Sequence, residues 1–592
     1  MMHWAKPASE RNQVVLFAPT LDDAIPHDHP VRLFEEVLAE LDFSSWEAAY
    51  GRVRGQPPIH PRVVAGVILY GLSLGIRSSR RLEEATANRL DFIWLCGGRV
   101  IDHATFAKFR VKFGDLIRGL FREVAKVAVG MGLANLNQIV FDGTAKRSSN
   151  SRHKTLGRSG LQRAMAEVDK QVDQMMGQWE AADGREKALF GESSASRLPR
   201  DLGDLVKRQA RLREAMKRLE AMEAKSPGGK RSVAAAAKAA AAKASEKSKP
   251  VGEASIPVGN NDCDDADAGK VVASVDSPPV DCGDAASADS APADVAPAVG
   301  KSGKSRGPRV PITDPDSSVA KNKTGGFAPN YTAILGTEGK NGFIVDVQLQ
   351  GGCDEPASVI PAVKAVEEAF GSRPAEVLAD SNFNSAANLR DLDELGVVAM
   401  MPPRQPPARE NPAIRTDPTQ PVPADQHAKL PVNPQMKVLD RSAFVYDAQA
   451  DCYHCPMGRV LKYAGDHAYV RMSIRGKHRV YEADREYCGA CELAGRCLPG
   501  KVVQRRVVRD EQEPLREQMA ERMSDEEGKK RYRRRSHLAE TPFAVMNTTM
   551  QFRQFLLRGL EKATTELMWV CGSMNLTKLV RLIARSRAPA PA

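Results

Sequence analysis

QIVFDGT, at residues 138–144, marks the point where the chain changes from a helical to a mixed α/β pattern. The run is apolar and β-branched and ends in Asp142-Gly143, which predicts a buried strand that leads into a turn. A second run of this kind, AEVLAD at 375–380, also ends in an acid, Asp380. If the two strands are neighbours, their carboxylates lie together at one edge of the sheet.

The elements around these two strands predict an α+β fold. Upstream, residues 15–135 carry helical stripes, for example at 31–41. Asp102 reads as the N-cap of one such helix and His103 as part of its first turn, which we favour over a catalytic pair. Downstream, strand and helix signals follow in the order strand, strand, helix, strand, helix, strand, which predicts a mixed sheet flanked by helices.

Composition limits the function of the 592-residue chain. The net charge is +11 and the sequence pI is near 9.1, which favours a polyanionic partner, either nucleic acid or an anionic membrane surface. We find no run of about 18 uncharged apolar residues and no apolar segment after the initial Met-Met-His-Trp, so we expect neither a membrane span nor a secretory signal.

A third acid, Glu540, follows the basic run KKRYRRRSHLA at 529–539. The helix that carries it is predicted to begin at a capping box, SDEE at 524–527. Two-metal phosphodiester chemistry needs carboxylates from different elements around ions about 4 Å apart, with cationic side chains for the phosphates. By helical geometry Arg533 shares the face of Glu540, whereas Arg535 lies ~140° away. The alternatives are that each acid is a turn residue and that the helix is a solvated basic face.

Five cysteines crowd between Cys452 and Cys497, and the pairs Cys452/Cys455 and Cys488/Cys491 have the spacing of structural zinc ligands. Five thiols for four positions leave Cys452 or Cys497 over. A redox Cys-x-x-Cys motif and incidental reduced thiols are the alternatives.

These motifs together resemble the DDE insertion-sequence transposases that carry a Tyr-Arg-Glu-Lys signature. The resemblance covers most of the chain outside 225–308. It rests on YGLSLGIRSSR at 70–80, WLCG at 94–97, DHATF at 102–106, FDGT at 141–144, TDPD at 313–316, LADSNF at 378–383, YRRRSHLAE at 532–540, PF at 542–543 and FRQFLLRG at 552–559.

The resemblance implies an RNase H-like core that is interrupted by a zinc-ribbon-like insertion. It implies Asp142, Asp380 and Glu540 as catalytic residues that hold two Mg²⁺ or Mn²⁺ ions. The implied zinc ligands are Cys455, Cys488, Cys491 and Cys497, which leaves Cys452 as the spare thiol, and the expected DNA contacts are Tyr532, Arg533, Arg535, Arg77 and Arg80. The implied partners are terminal inverted repeats, target DNA and a second copy of the chain, without a membrane, in the nucleoid-associated cytoplasm of a bacterium.

Two departures from the signature stand out. Its Lys, seven residues after the Glu, is Asn547 here, and the gap from Tyr532 to Glu540 is one residue longer than the strict spacing. A DNA-binding zinc protein that has lost catalysis, and a nuclease on the same core, are therefore the competing functions.

The predicted domains follow from these assignments. They are a helical DNA-binding domain at 1–135, the first catalytic strand and a helical arm at 136–224, a disordered low-complexity insertion at 225–308 that we expect to be dispensable for catalysis, the RNase H-like core at 309–404, a Pro-rich loop and Cys-rich insertion at 405–515, and the catalytic helix with a helical tail at 516–592.

Overall fold

The fold was taken from a computed structural model of the chain. It describes residues 20–50, 57–150, 155–190, 200–225, 308–321, 326–352, 355–403, 411–433, 436–471, 474–500 and 502–587. Most of the predicted insertion at 225–308, including Cys263 and Cys282, lies outside this range, as do parts of the Pro-rich loop.

The N-terminal region is helical, as predicted. Its helices are α1 (Pro30–Ala39), α2 (Ser44–Ala48), α3 (Pro61–Ser73), α4 (Ser79–Asn88), α5 (Leu90–Leu95), α6 (His103–Lys112) and α7 (Leu116–Gly130). Asp102 is the N-cap of α6, where its carboxylate accepts hydrogen bonds from the N–H groups of Ala104 and Thr105. The cap interpretation of Asp102 is therefore confirmed.

The last helix of the chain completes the core of this helical region. Trp569 of this helix (Leu560–Arg587) lies 6.0 Å, between ring centroids, from Trp46 of α2. Trp46 in turn stacks on Phe109 and Phe113. One apolar cluster spans both ends of the sequence, so the helical tail and the N-terminal helices bury their apolar faces against each other.

The central sheet has six strands, and β1 lies in its middle. Its strands are β1 (Gln138–Arg147), β4 (Ser318–Lys321), β5 (Phe327–Glu338), β6 (Ile344–Gln350), β7 (Glu376–Leu378) and β8 (Val398–Met400). The path runs β4-β5-β1-β7-β8, with β6 also paired to β5. β1 is antiparallel to β5 and parallel to β7, and β7 is parallel to β8. A small ladder joins β2 (Thr155–Leu156) to β3 (Val310–Pro311).

Helices cover both faces of this sheet. Ile139 and Phe141 of β1 belong to the core that includes α10 (Val359–Phe370) and α11 (Ala386–Glu394). Val140, which points to the opposite face, packs with Leu538 and Ala539 of α15 (Glu526–Thr548). Because side chains alternate along a strand, Asp142 shares the face of Val140.

The Cys-rich region forms a second, antiparallel sheet in the order β13-β12-β11-β10-β9. Its strands are β9 (Val445–Asp447), β10 (Cys452–His454), β11 (Val460–Arg471), β12 (Ile474–Ala483) and β13 (Arg506–Asp510), and two short helices, α12 (Arg485–Gly489) and α13 (Ala494–Cys497), lie between β12 and β13. The sheet packs its own apolar cluster around Tyr453, Leu461 and Tyr481.

The predicted helical arm is an α-helical hairpin that forms a separate compact unit. It consists of α8 (Arg158–Phe190) and α9 (Arg200–Lys225). Leu161 and Val168 of α8 are buried, as are Leu212, Ala215 and Leu219 of α9. Arg158 pairs with Glu223 at 2.6 Å.

Two details of the C-terminal region differ from the prediction. Ser524 ends the preceding helix, α14 (Glu513–Ser524), and Asp525 is the N-cap of α15, so the capping box was placed one residue too early. The sequence pattern also predicts helix from Ser524 to about Arg587, whereas the chain leaves α15 after Thr548 and resumes helical structure at α16 (Leu560–Arg587). Gln551 and Gly559 take up positive φ angles in this break.

Two side-chain groups hold the break between α15 and α16. Asp314 accepts a hydrogen bond from the N–H of Gly559, and Asp316 accepts one from the N–H of Leu560 at the start of α16. The TDPD motif thus positions the terminal helix.

Among the described helices, none combines the length and apolarity that crossing a membrane requires.

Arg77 is the second group that holds this break. Its guanidinium donates to the carbonyl oxygens of Gln551 (3.1 Å) and Gln554 (2.6 Å) and pairs with Glu566 at 2.8 Å. It also lies 4.6 Å from the ring centre of Phe552. The pair is mostly buried, with the Arg77 and Glu566 side chains 14% and 13% exposed.

We expect Arg77→Ala to lower the free energy of unfolding by about 3 kcal/mol, because it removes the guanidinium that neutralises the mostly buried Glu566 and leaves this carboxylate with the N–H donors of Leu556 and Leu557. The measurement is urea unfolding followed by circular dichroism. Arg587→Ala is the matched control: it removes a similarly close but exposed pair with Glu36 and should cost far less. Equal costs for the two variants would contradict a bracing role for Arg77.

Candidate active site and metal-binding positions

Asp142 and Asp380 lie just beyond the stretch over which β1 and β7 pair in parallel. The turn predicted at Asp142-Gly143 is wrong, because β1 continues through both residues to Arg147 along its antiparallel partner β5. Val140 of β1 pairs with Leu378 of β7, and each acid is two residues further along its strand. The N–H of Asn382 donates to the Asp380 carboxylate at 2.8 Å and orients it. Burial raises the pKa of Tyr532, and the charges of Asp380 and Asp142 raise it further, so both carboxylates lie within electrostatic reach of this phenol.

The inner face of α15 contacts both segments that carry the two aspartates. Arg535 pairs with Asp142 at 3.2 Å, and both side chains are largely buried, at 14% and 17% exposure. The hydroxyl of Tyr532 donates to the carbonyl oxygen of Ala379 at 3.3 Å. Arg535 therefore neutralises and orients the first acid, whereas Tyr532 joins the helix to the strand that carries the second.

Glu540 and Arg533 lie on the outer part of the same helix. Both side chains are exposed, and Glu540 accepts a hydrogen bond from Ser536 at 3.1 Å. Glu540 follows Ala539, which packs against the strands, but lies ~140° around the helix from Arg535. The structure thus brings the two aspartates together and places Glu540 at the rim of the helix–sheet interface.

A lysine from another element contacts Asn547, which occupies the position of the signature lysine. Lys146 of β1 is 4% exposed and donates to the side-chain oxygen of Asn547 and to the carbonyl oxygen of Phe552. It is four residues after Asp142 and therefore on the same face of β1. Sequence reasoning did not single out Lys146, although this alternation was available as a signal.

A fourth acid, Glu355, also lies close to β1. The carboxylate of Glu355 is packed against Gly143, where an added Cβ would meet its Cδ at 3.0 Å. Gly143 therefore lets Glu355 approach β1 on the face opposite to that of Asp142. No local pattern in the sequence marks Glu355, because the turn that carries it precedes α10 and reaches β1 only in the folded chain.

The two arginines predicted to contact DNA from the N-terminal region differ in their surroundings. Arg80 is exposed in the first turn of α4. Arg77 is committed to Gln551, Gln554 and Glu566 inside the protein. This geometry corrects the DNA-binding assignment of Arg77, since its donors hold the chain break between α15 and α16.

The four cysteines predicted to bind zinc line one cavity of about 510 Å³. Burial, and then the neighbouring thiols of Cys491 and Cys488, raise the pKa of Cys455, and burial raises the pKa of Cys497 to about 12. All four are free thiols in the described structure. A tighter group of potential ligands in the same sheet is a different one: the ligand atoms of Asp447, Cys452 and His454 lie within 4.8 Å of one another.

Two protein families match separate parts of the chain. The family described as Transposase domain (DUF772) matches residues 19–112, which include α1 to α6. The family described as Transposase DDE domain matches residues 444–580, which include the Cys-rich sheet, α15 with Glu540, and most of α16. A comparison with curated proteins gives no match.

Proposed function

The chain is an insertion-sequence transposase of the DDE class, and from this premise we propose that it cleaves DNA at the ends of its mobile element and joins those ends to target DNA. We further propose that it recognises terminal inverted repeats and acts as a homodimer that bridges two ends. One observation carries the catalytic part: Asp142 and Asp380 are each two residues beyond the parallel Val140–Leu378 pair, beneath a basic helix.

The strand order supports an RNase H-like core. In the path β6-β5-β1-β7-β8, the first three strands alternate in direction and the last two run parallel to β1. In this order the acid within β1 and the acid that follows β7 are neighbours, at the point where the parallel pairing of the two strands ends. Ligands of open α/β sheets commonly bind at such an edge.

The donor set fits a hard divalent cation. Carboxylate oxygens suit Mg²⁺ or Mn²⁺, and we propose Asp142, Asp380 and Glu540 as the ligands. Bound ions would activate the attacking oxygen and stabilise the leaving oxygen of the phosphodiester. Arg535 fixes the orientation of Asp142, as the N–H of Asn382 does for Asp380. Glu540 is exposed at the rim of the helix–sheet interface, so its carboxylate is accessible to ions held between the protein and DNA.

We expect Asp142→Asn and Asp380→Asn to slow Mg²⁺-dependent strand cleavage of the terminal repeats by at least ~100-fold, about 2.7 kcal/mol of transition-state stabilisation. DNA binding should persist, because each change removes negative charge from the site. Glu540→Gln should have the same effect. Asp393→Asn, on the exposed face of α11, is the control and should cleave normally.

The alternatives predict other outcomes of this assay. A DNA-binding protein without catalysis would give the same absence of cleavage for wild type and variants. A nuclease would cleave but would not join the ends to target DNA. If Glu540→Gln alone cleaved normally, Glu540 would not be the third ligand.

The exposed cations of α15 and α4 are the proposed phosphate contacts. Arg533 lies on the side of α15 that carries Glu540, and Arg80 is exposed on α4. Tyr532 is placed beside the two aspartates, where it could stack on a base or bond to a phosphate. Arg535 is already paired with Asp142, so we assign it the role of positioning that acid.

We expect Arg533→Ala to weaken binding to the terminal repeats and to flatten the slope of log K against log salt by about 0.9, since one phosphate contact is lost. Fluorescence anisotropy between low and moderate salt measures both quantities. Arg213→Ala, an exposed arginine on α9, serves as the control. An unchanged slope for Arg533→Ala would mean that this side of α15 faces solvent in the complex.

Zinc is the proposed ligand of the cavity lined by Cys455, Cys488, Cys491 and Cys497. Four sulfur donors around one cavity fit a structural zinc, which binds thiolates tetrahedrally. The ion would also offset the burial that keeps the Cys497 thiol protonated. Its role would be to tie α12 and α13 to the turn after β10.

We expect Cys491→Ser to lose one zinc ion per chain and to lower the unfolding temperature, because two short helices then lack their anchor. Elemental analysis by mass spectrometry measures the zinc. A control, Cys96→Ser, changes a buried thiol of the N-terminal helices and should keep the wild-type zinc content. Wild-type zinc content in Cys491→Ser would contradict the four-thiol site.

A further inference from the structure

Cys452 is left over when the four thiols of the cavity are assigned, yet it is not isolated. Its sulfur lies 3.8 Å from Nε2 of His454, and that nitrogen lies 3.9 Å from Oδ2 of Asp447. All three ligand atoms are within 4.8 Å of one another. A thiol, an imidazole and a carboxylate are the three donor types that bind zinc in proteins.

The β-structure explains why these side chains meet. Cys452 and His454 are two residues apart on β10, so they point to the same face of the sheet. Asp447 of β9 lies directly opposite Cys452 in the antiparallel register. The core of the sheet, which contains Tyr453, and the partly buried Cys455 that packs on it are on the other face. Cys452 and His454 therefore point to one face of the sheet, whereas Cys455, the next residue, lines the four-thiol cavity on the other face.

The surrounding contacts orient the carboxylate before any ion binds. Oδ1 of Asp447 accepts hydrogen bonds from the N–H groups of Gln449 (2.9 Å) and Ala450 (3.1 Å), which leaves Oδ2 directed at His454. Asp451 fixes the same turn, because its carboxylate accepts the hydroxyls of Tyr446 and Tyr481. Contacts of this kind hold the ligands of metal sites in position.

His454 supplies an independent observation. The residue is 5% exposed, and its Nδ1 has no hydrogen-bond partner among the described residues. Its Nε2 contacts only groups that are further away than a normal nitrogen–oxygen hydrogen bond. An ion bound at Nε2 would give this buried imidazole a close polar partner.

From this geometry we propose that Asp447, Cys452 and His454 form a second metal site, which binds a divalent transition-metal ion, zinc by its donor set, separately from the four-thiol cavity. A tetrahedral zinc with ordinary bond lengths separates sulfur from nitrogen by ~3.5 Å and nitrogen from oxygen by ~3.4 Å. The present distances of 3.8 and 3.9 Å are wider by only a few tenths of an ångström. Water would fill the fourth position, beside the partly exposed Asp447.

The site would join β9, the edge strand of the Cys-rich sheet, to β10. The β9–β10 ladder contains three residue pairs, so one ion bound across the Asp447–Cys452 pair adds a cross-link to a short hairpin. This role does not depend on DNA cleavage, so the proposal stands or falls separately from the transposase activity.

The experiment is a zinc count on the full chain. Wild-type protein and variants are equilibrated with zinc in excess Mg²⁺, desalted and analysed by mass spectrometry. Cys452→Ser and His454→Ala should each bind one zinc fewer than wild type, and Cys452→Ser combined with Cys491→Ser should bind two fewer. Cys96→Ser should equal wild type, and circular dichroism verifies that every variant is folded.

Cobalt substitution gives a readout that zinc loss through misfolding would not imitate. Cys452→Ser should remove one sulfur-to-cobalt charge-transfer contribution and leave the absorption of the four-thiol site intact. Wild-type zinc counts in both Cys452→Ser and His454→Ala would overturn the proposal. So would loss of the four-thiol cobalt spectrum in Cys452→Ser, because Cys452 would then be a ligand of that site.

Discussion

Parallel pairing of β1 with β7 is the constraint on which the proposed active site depends. The pairing of Val140 with Leu378 sets Asp142 and Asp380 at the same level of the sheet and on the same face. A shift of one residue in either strand would turn its acid toward α10 and α11 instead. The register is held on both sides, since Phe141 is buried in one core and Val140 packs against α15 in another.

Burial divides the arginines of the protein into two groups with different tasks. Arg535 and Arg77 are largely buried, and each is paired with a carboxylate inside the protein. Arg533 and Arg80 are exposed, and their positive charge is available to a polyanion. A guanidinium that is desolvated next to an acid orients that acid, whereas one in solvent contributes salt-dependent affinity. Fewer cationic side chains are therefore available to contact DNA than the net charge of +11 suggests.

The Cys-rich sheet contains one strand that would serve both proposed metal sites. Cys452 and His454 point to one face of β10, whereas Tyr453 points to the other, which buries the apolar core of this region. Cys455 follows directly and lines the four-thiol cavity. The sheet is small and its apolar cluster modest, so metal ligation on both sides is a physically economical way to stabilise it.

The local sequence determined which elements form and where the acids lie on them. The strands around Asp142 and Asp380, the helices of the N-terminal region and the order of strands and helices after residue 326 all follow from periodicity and turn residues. The local sequence also predicted correctly that Asp102 caps a helix. They misplaced the start of α15 by one residue and missed the break after Thr548, because Asp525 and Ser524 offer nearly equal caps and the break depends on Asp314, Asp316 and Arg77.

Only the tertiary structure decided which side chains meet. The contact of Lys146 with Asn547 joins residues 401 positions apart, and that of Arg535 with Asp142 joins residues 393 apart. The sequence suggested Arg533 for the carboxylate face of α15, yet packing of Leu538 and Ala539 on the strands turned Arg535 toward Asp142 instead. Periodicity reports which residues share a face, but the face that is buried depends on the apolar partners that distant segments supply.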